Sequence, residues 1–289
     1  MSVNSESPQT SFELRPASDF SLVELADLFS RTYVDYFFPV HMSVEMLSWI
    51  VVTQSIDLAA SHVASVEDEH VGFIFISSRG LLQRVAAMGV LPDHRCMGIG
   101  RIMLESSIAN AKRMGYRRML LEIIEGNTAA MALYQHLGFQ PRRQLVGWDR
   151  PVQEGDDVCD DKLTEIDPRE VAWAIVHEGD ADLPWQRSGD SMFSVQPPSR
   201  AYTLGGNAFC VVSRITDHSA YIDAFLVPRA KRRNGWGRRL MKALFAHYPG
   251  RAWTISATVP DDLAPDFFRR SGFQPGLLSQ VEMELDLTH

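Results

Sequence analysis

The chain has 289 residues, 45% hydrophobic and 22% charged, and its 28 basic and 36 acidic residues give a formal net charge of −8. This is the composition of a globular protein with room for two domains of ~100–200 residues each, and the acidic balance argues against a dedicated nucleic-acid binder, which needs a basic face. Three widely spaced cysteines, Cys96, Cys159 and Cys210, argue against a disulfide scaffold or a structural zinc site and favour a reducing cytosol.

Residues 1–11 are polar and read as a flexible tail without a secretory signal. Phe12–Pro16 is strand-like, and Ser21–Tyr33 is a helix with Leu22, Leu25, Leu28 and Phe29 on one face. Ala59–Ser65 and Val71–Ser77 form a hairpin around Glu67–His70, and Arg84–Val90 is a further strand. Gly98–Met114 is a helix stopped by Gly115; Arg118–Ile124 is a buried strand, Thr128–His136 a helix, and a strand pair starts at Gln140. A second series follows: helix Asp167–Val176, a polar Pro-containing loop over Leu183–Pro198, strands Ala208–Arg214 and Tyr221–Val227, helix Gly235–Ala246, strand Trp253–Ala257, helix Leu263–Arg270 and strand Val281–Leu287. Strands alternating with helices after an early antiparallel hairpin predict a mixed α/β sheet rather than a doubly wound one. No stretch approaches the ~18 apolar residues of a membrane span, so a cytoplasmic protein with neither membrane nor nucleic-acid partners is expected.

The two series are related by duplication. Val90 and Val227 are each followed, after four spacer residues, by Arg-x-x-Gly-x-Gly-Arg, and Arg95 and Arg232 stand 137 positions apart. Leu-Gly-Phe at 137–139 and Ser-Gly-Phe at 271–273 repeat at nearly the same offset. An acidic run from Glu154 to Glu170 reads as a solvated connector. The expected organisation is therefore a domain at 12–153, a linker at 154–167 and a second domain at 168–289.

Arg95-Cys96-Met97-Gly98-Ile99-Gly100-Arg101 joins a strand to a helix. Glycines there let the main chain approach a ligand, and the helix N-terminus and arginines favour an anion such as a pyrophosphate. It is not a Walker A loop, and it lacks the third glycine of a dinucleotide fingerprint.

Together with Asn127-x-x-Ala130-x-x-Leu133-Tyr134-x-x-x-Gly138-Phe139, this motif resembles the GNAT superfamily of acyl-CoA-dependent N-acetyltransferases. With the repeat, the chain resembles a tandem GNAT protein of α/β (α+β) class, each domain a mixed, mostly antiparallel twisted sheet flanked by helices. The resemblance implies acetyl-CoA as co-substrate and no metal. It implies that Met88, Gly89 and Val90 splay from their neighbour to meet the pantetheine arm, that Arg95 to Arg101 wrap the pyrophosphate, and that Asn127 contacts the cofactor. Tyr134 would lie beside the thioester sulfur as general acid.

In the second half, Leu226, Val227, Arg232, Arg233, Asn234, Gly235, Trp236, Gly237 and Arg238 repeat the cradle, but Asp261 and Phe268 stand where Asn127 and Tyr134 do. An attacking amine must shed a proton, and the candidate bases are Glu122 or Glu125 in the first half and Asp223 in the second, with water as an alternative. Tyr33, Tyr36, Phe37, Phe38, Pro39 and His41 are candidates for the acceptor pocket, an aromatic cluster suited to an amine. Acetyl transfer to a primary amine of a small molecule or peptide, with the first half catalytic, is the expected activity. Catalysis by the second half with a regulatory first half, and a non-catalytic CoA sensor or scaffold, are the alternatives; a homodimer is left open.

Overall fold

The computed structural model describes residues 12–37, 40–156 and 158–288. The expected tail, together with Phe38, Pro39 and Asp157, lies outside the described residues. The elements follow the expected order: β1 (Phe12–Pro16), α1 (Leu22–Thr32), α2 (Val44–Thr53), β2 (Ile56–Val66), β3 (Glu69–Arg79), β4 (Leu82–Val90), α3 (Ile99–Arg113), β5 (Arg118–Ile124), α4 (Thr128–His136) and β6 (Gln140–Arg150). Then come β7 (Thr164–Ile166), α5 (Pro168–Glu178), α6 (Gly189–Phe193), β8 (Arg200–Thr203), β9 (Phe209–Ser213), β10 (Ser219–Leu226), α7 (Trp236–His247), β11 (Ala252–Pro260), α8 (Pro265–Arg270) and β12 (Gln274–Asp286). Helix α2 and strands β7 and β8 are additions to the sequence reading, the pair expected from Gln140 is the single strand β6, and the loop over 183–198 contains α6.

Contacts divide the chain into two units, and neither is a continuous stretch. Unit 1 takes the chain up to Glu122, with Ala129–Gln140 and Met283–His289; unit 2 takes Ile123–Thr128 and Pro141–Glu282. This differs from the division at 12–153 and 168–289, and strand pairing is the reason. β6 pairs antiparallel with β11, Ile255 opposite Trp148, so it belongs with the second series. The end of β12 belongs with unit 1, where the Leu287 N–H donates to the Arg117 carbonyl (2.9 Å) and Glu284 pairs with Arg118 (3.6 Å). The acidic run is not simply solvated either. Asp156 holds buried Arg150 at 2.6 Å, Asp161 holds Arg239 at 2.5 Å, and Glu165 lies in β7 against Arg200 at 3.0 Å.

In unit 1 the strand order is β1-β2-β3-β4-β5 and then the end of β12. Phe73, Ile74, Phe75 and Ile76 of β3 are essentially without exposure and pack with Leu25 and Phe29 of α1 and Met103 and Leu104 of α3. Consecutive buried residues are what a strand covered on both faces requires. In unit 2 the order is β12-β6-β11-β10-β9-β8-β7. One face packs on Leu240, Met241 and Leu244 of α7 and Phe268 of α8, the other on Val171, Ala172 and Ile175 of α5.

Helices α1 and α5 start in capping boxes, Ser21 with Glu24 and Asp167 with Glu170, and α2 is capped by Ser43. These side chains occupy N–H groups that a helix leaves unpaired at its start. Helices α3 and α7 are different: each begins at a glycine in the left-handed region with no side-chain cap.

Because Leu287 is 5% exposed inside unit 1, Leu287→Ala is expected to cost about 2–4 kcal/mol, the range for a buried leucine that leaves a cavity. Urea denaturation followed by circular dichroism checks this.

Candidate functional site

The two strand-to-helix loops share one geometry. Cys96 and Arg233, neither a glycine, have φ of 62° and 65°, and Gly98 and Gly235 have φ of 84° and 79°. Two left-handed residues separated by one form a concave turn of main-chain N–H groups ahead of an uncapped helix, the local structure that favours an anion. A Cβ on Gly98 or Gly235 meets nothing within 4 Å, so these glycines serve the backbone conformation and leave the concavity open.

The arginine repeated in each loop is held by the protein itself. Arg95 Nε donates to the Val90 carbonyl (3.1 Å), while its terminal nitrogens hold Asp35 at 2.8 and 2.7 Å and the Thr32 carbonyl at 3.0 Å. Arg232 repeats this with the Val227 carbonyl (3.0 Å) and Asp180 at 3.0 and 2.9 Å. Bonds from Arg95 hold the Asp35 carboxyl below its usual range. The expectation that Arg95 and Arg232 wrap a phosphate therefore gives way to a bracing role. Arg101 is likewise paired, with Glu105 at 2.8 Å, and Ile99 is a buried core residue that can offer only its main chain. Cys96, Met97 and Asn234 are exposed. Asp35 and Asp180 are functional partners that sequence reading missed; each follows the first helix of its unit by two or three residues.

Behind each loop the strands fork. β4 and β5 pair in parallel from Leu82 opposite Arg118 to Val85 opposite Leu121, yet both strands run on. A register shift against β3 between Val85 and Ala87 makes Ala86 a bulge at the same level. In unit 2, β10 and β11 pair from Ser219 to Tyr221, and the shift against β9 makes Asp223 the bulge. The bulge reverses the strand's faces: Ala220 and Ile222 pack towards α7, Ala224 and Leu226 towards α5. Met88 to Val90 are thus paired on one side only, to β3. Gly89 has no space for a side chain, which would run into Thr32 Oγ1.

In unit 1 the opening is lined by phenols. Tyr33 stacks on Phe29 (4.5 Å), meets Tyr36 edge-on (4.8 Å) and donates to the Met88 carbonyl at 3.1 Å. Tyr134 on α4 is 8% exposed. Burial raises the Tyr134 and Tyr33 phenols well above the ordinary range, with Tyr36 close enough to add to both shifts. Leu133, the neighbour of Tyr134, and Met88 flank Gly100, each 3.9 Å from the position of a Cβ there. Tyr33, Tyr36, Tyr134 and Met88 therefore gather, while His41 is exposed ahead of α2. Asn127, whose N–H donates to the Ile124 carbonyl (3.1 Å), lies in a segment that groups with unit 2.

Glu122 does not stand free as a base. Its carboxylate takes Arg84 Nε at 2.7 and 3.0 Å and Nη2 at 2.6 Å, with the side chains 3% and 7% exposed. This buried pair bridges β4 and β5 at the vertex of the fork.

Unit 2 contains a cavity of about 700 Å³ between its loop, β10 and α8. Lys231, Arg233, Arg238 and Arg270 line it and have no carboxylate partner among the described residues; Asp180, Asp262 and Asp266 are its acidic members. Trp236 stacks under Arg239 (4.4 Å), and Gly237 sits 3.1 Å, measured from the position of a Cβ, from Phe267. Phe268 is a core residue stacked on Trp148 at 5.2 Å. At the fork, Arg187 from the loop after α5 donates to the carbonyls of Ile222 (2.9 Å), Asp223 and Ser256 (3.3 Å) and to Thr258 Oγ1 (2.7 Å). Burial lowers Arg187 to about 10 against the opposing charge of Asp223, so it stays protonated at neutral pH. Asp223 thus lies beside a fixed cation, and nothing in the sequence of the loop signals Arg187.

The chain as a whole has the fold of a tandem GNAT protein. It superimposes on a GCN5-related N-acetyltransferase from Sphaerobacter thermophilus with a TM-score of 0.68 at 17% identity, covering 96% of each chain. A tandem GNAT protein from the clavulanic acid biosynthesis pathway gives 0.67 at 16% identity, over 96% of this chain and 99% of that one. Residues 22–139 match the model of the Acetyltransferase (GNAT) family. A stretch of 66 residues is 38% identical to a mycothiol acetyltransferase from Geodermatophilus obscurus, 23% of this chain and 21% of that protein. Another of 52 residues is 40% identical to the ribosomal protein bS18-alanine N-acetyltransferase of Escherichia coli, 18% of this chain and 35% of that protein. The chain spans about a fifth to a third of the length of these curated relatives. No helix among the described residues is long and apolar enough to cross a membrane, and no cluster of three metal-ligating side chains occurs among them.

Removing Glu122 leaves Arg84 buried without a counter-charge. Glu122→Ala is therefore expected to cost about 3–5 kcal/mol, read as a lower urea midpoint, whereas a solvated base would leave the midpoint unchanged.

Proposed function

We propose that the protein transfers an acetyl group from acetyl-CoA to a primary amine, that unit 1 carries out the transfer, and that the loops of both units bind CoA phosphates. The observation that carries this reading is the fork of unit 1, where the one-sided strand Met88–Val90 meets the buried phenol of Tyr134 below an uncapped helix start. The main-chain concavities at Cys96–Gly98 and Arg233–Gly235 fit a pyrophosphate, and the unpaired cations of unit 2 fit a ligand with several phosphate charges.

Bound acetyl-CoA supplies the acetyl group as a thioester, the form an amine can attack directly. Main-chain groups on the edge of β4 that faces away from β3 hold the arm as an added strand would, with the Met88 and Val90 carbonyls already engaged by Tyr33 and Arg95. Tyr134 stays protonated and donates a hydrogen bond towards the sulfur position. Its phenol is raised above the ~8.5 of a thiol, so it stabilises a developing thiolate by donation without giving up its proton. With Glu122 engaged by Arg84, the proton of the amine passes to water. Tyr33 and Tyr36 offer aromatic surface to a cationic acceptor before it loses that proton. By its name the Escherichia coli relative acts on an alanine amine, in agreement with an amine acceptor here.

Unit 2 has Phe268 in place of Tyr134 and Arg187 across its fork, which supports binding without transfer. Tyr134→Phe is expected to lower kcat by ~10²-fold with little change in KM for acetyl-CoA, measured as CoA release against an amine panel; undiminished turnover overturns the assignment. Because the phenol is raised, wild-type kcat is expected to show no alkaline loss up to about pH 10.

A further inference from the structure

We propose that the cavity of unit 2 takes CoA as the free thiol and turns away its acylated form, and that Arg187 sets this choice. The proposal rests on the reading that unit 2 binds CoA. A ligand arm laid along the open edge of β10 from the loop at Val227 back to Asp223 covers four residues, about 13 Å. That is the scale of a pantetheine arm, so the sulfur comes to the bulge.

There the space between the strands is already filled. Arg187 reaches past the vertex of the fork, to the bulge carbonyl of Asp223 on one strand and to Thr258 on the other. In unit 1 the Arg84–Glu122 pair lies beside the vertex, with Arg84 two residues before the bulge at Ala86. An acetyl group beyond the sulfur of unit 2 would need the place Arg187 occupies. Displacing Arg187 would leave three carbonyls and a hydroxyl without their donor, together with a buried cation.

Arg187 is also held from outside the fork. Asp180 on its loop is gripped by Arg232, and Asp182 pairs with Arg142 and Arg143, which between them neutralise the fully buried Glu282. A fixed guanidinium beside a thiol favours the thiolate, an attraction that a thioester cannot offer; the Asp223 carboxylate balances part of that charge. Exclusion of the acyl group and attraction of the sulfur act in the same direction.

Titration calorimetry of CoA and of acetyl-CoA into the full chain carrying Gly98→Asp tests this. That substitution places a carboxylate in the unit 1 concavity, at a left-handed position aspartate tolerates. CoA is expected to bind at least about tenfold more tightly than acetyl-CoA, a difference well resolved on the affinity scale. Arg187→Ala, or Arg187→Lys if the alanine variant does not fold, is expected to bring the two affinities together. Equal affinities in the Gly98→Asp chain, no binding of CoA to it, or an unchanged preference in a folded Arg187 variant would overturn the proposal. Failure of the transfer reading appears elsewhere, in the turnover of Tyr134→Phe, which requires no ligand in unit 2.

Discussion

A guanidinium clasped between a strand-end carbonyl and a carboxylate just past a helix is the contact on which both sites are built. Arg95 ties Val90 to Asp35 and Arg232 ties Val227 to Asp180. The clasp fixes the direction in which the chain leaves its strand, and the following residues can then hold left-handed conformations at positions 96 and 233 that disfavour side chains. Charge that would attract a phosphate is used inside the fold, and the task of meeting an anion passes to main-chain N–H groups and to the dipole of an uncapped helix.

The same scaffold is finished differently in the two units. Unit 1 places phenols around its fork and pairs both loop arginines with carboxylates. Unit 2 keeps four cations without a carboxylate partner among the described residues around its cavity and crosses the fork with a side chain from the loop after α5. Its loop region is the more strongly charged, and its fork is the more crowded. The two units share a frame and differ at the bulge, on α4 or α8 and in one loop.

Much of this was legible in the sequence. The helices at Gly98 and Gly235, the hairpin of β2 and β3 and the repeat at 137 positions depend on local glycines and periodicity, and they fall where expected. Helix α2 lacks a clear amphipathic period because Met46, Trp49 and Val52 are apolar yet exposed, so its apolar residues do not mark a buried face. The position of β6 depends on its partner β11, a hundred residues away, which no local pattern records. Arg95 illustrates a more general difficulty: a basic residue in a glycine-containing strand-to-helix loop is read as facing an anion, but it is held here by Asp35, which is distant in sequence. Glu122 was misread in the same way, since its partner Arg84 comes from the neighbouring strand.

The arrangement of β6 and the end of β12 also bears on how the molecule is made. Residues 283–289 leave the ribosome after the whole of unit 2, so unit 1 waits in an incomplete state with the edge of β5 uncovered while more than a hundred further residues are synthesised. Contacts of such sequence separation close slowly, and an exposed strand edge invites pairing with other chains. The usual order of synthesis, in which the N-terminal domain finishes first, does not hold for unit 1, which gains its last strand only after the residues of unit 2 have been made.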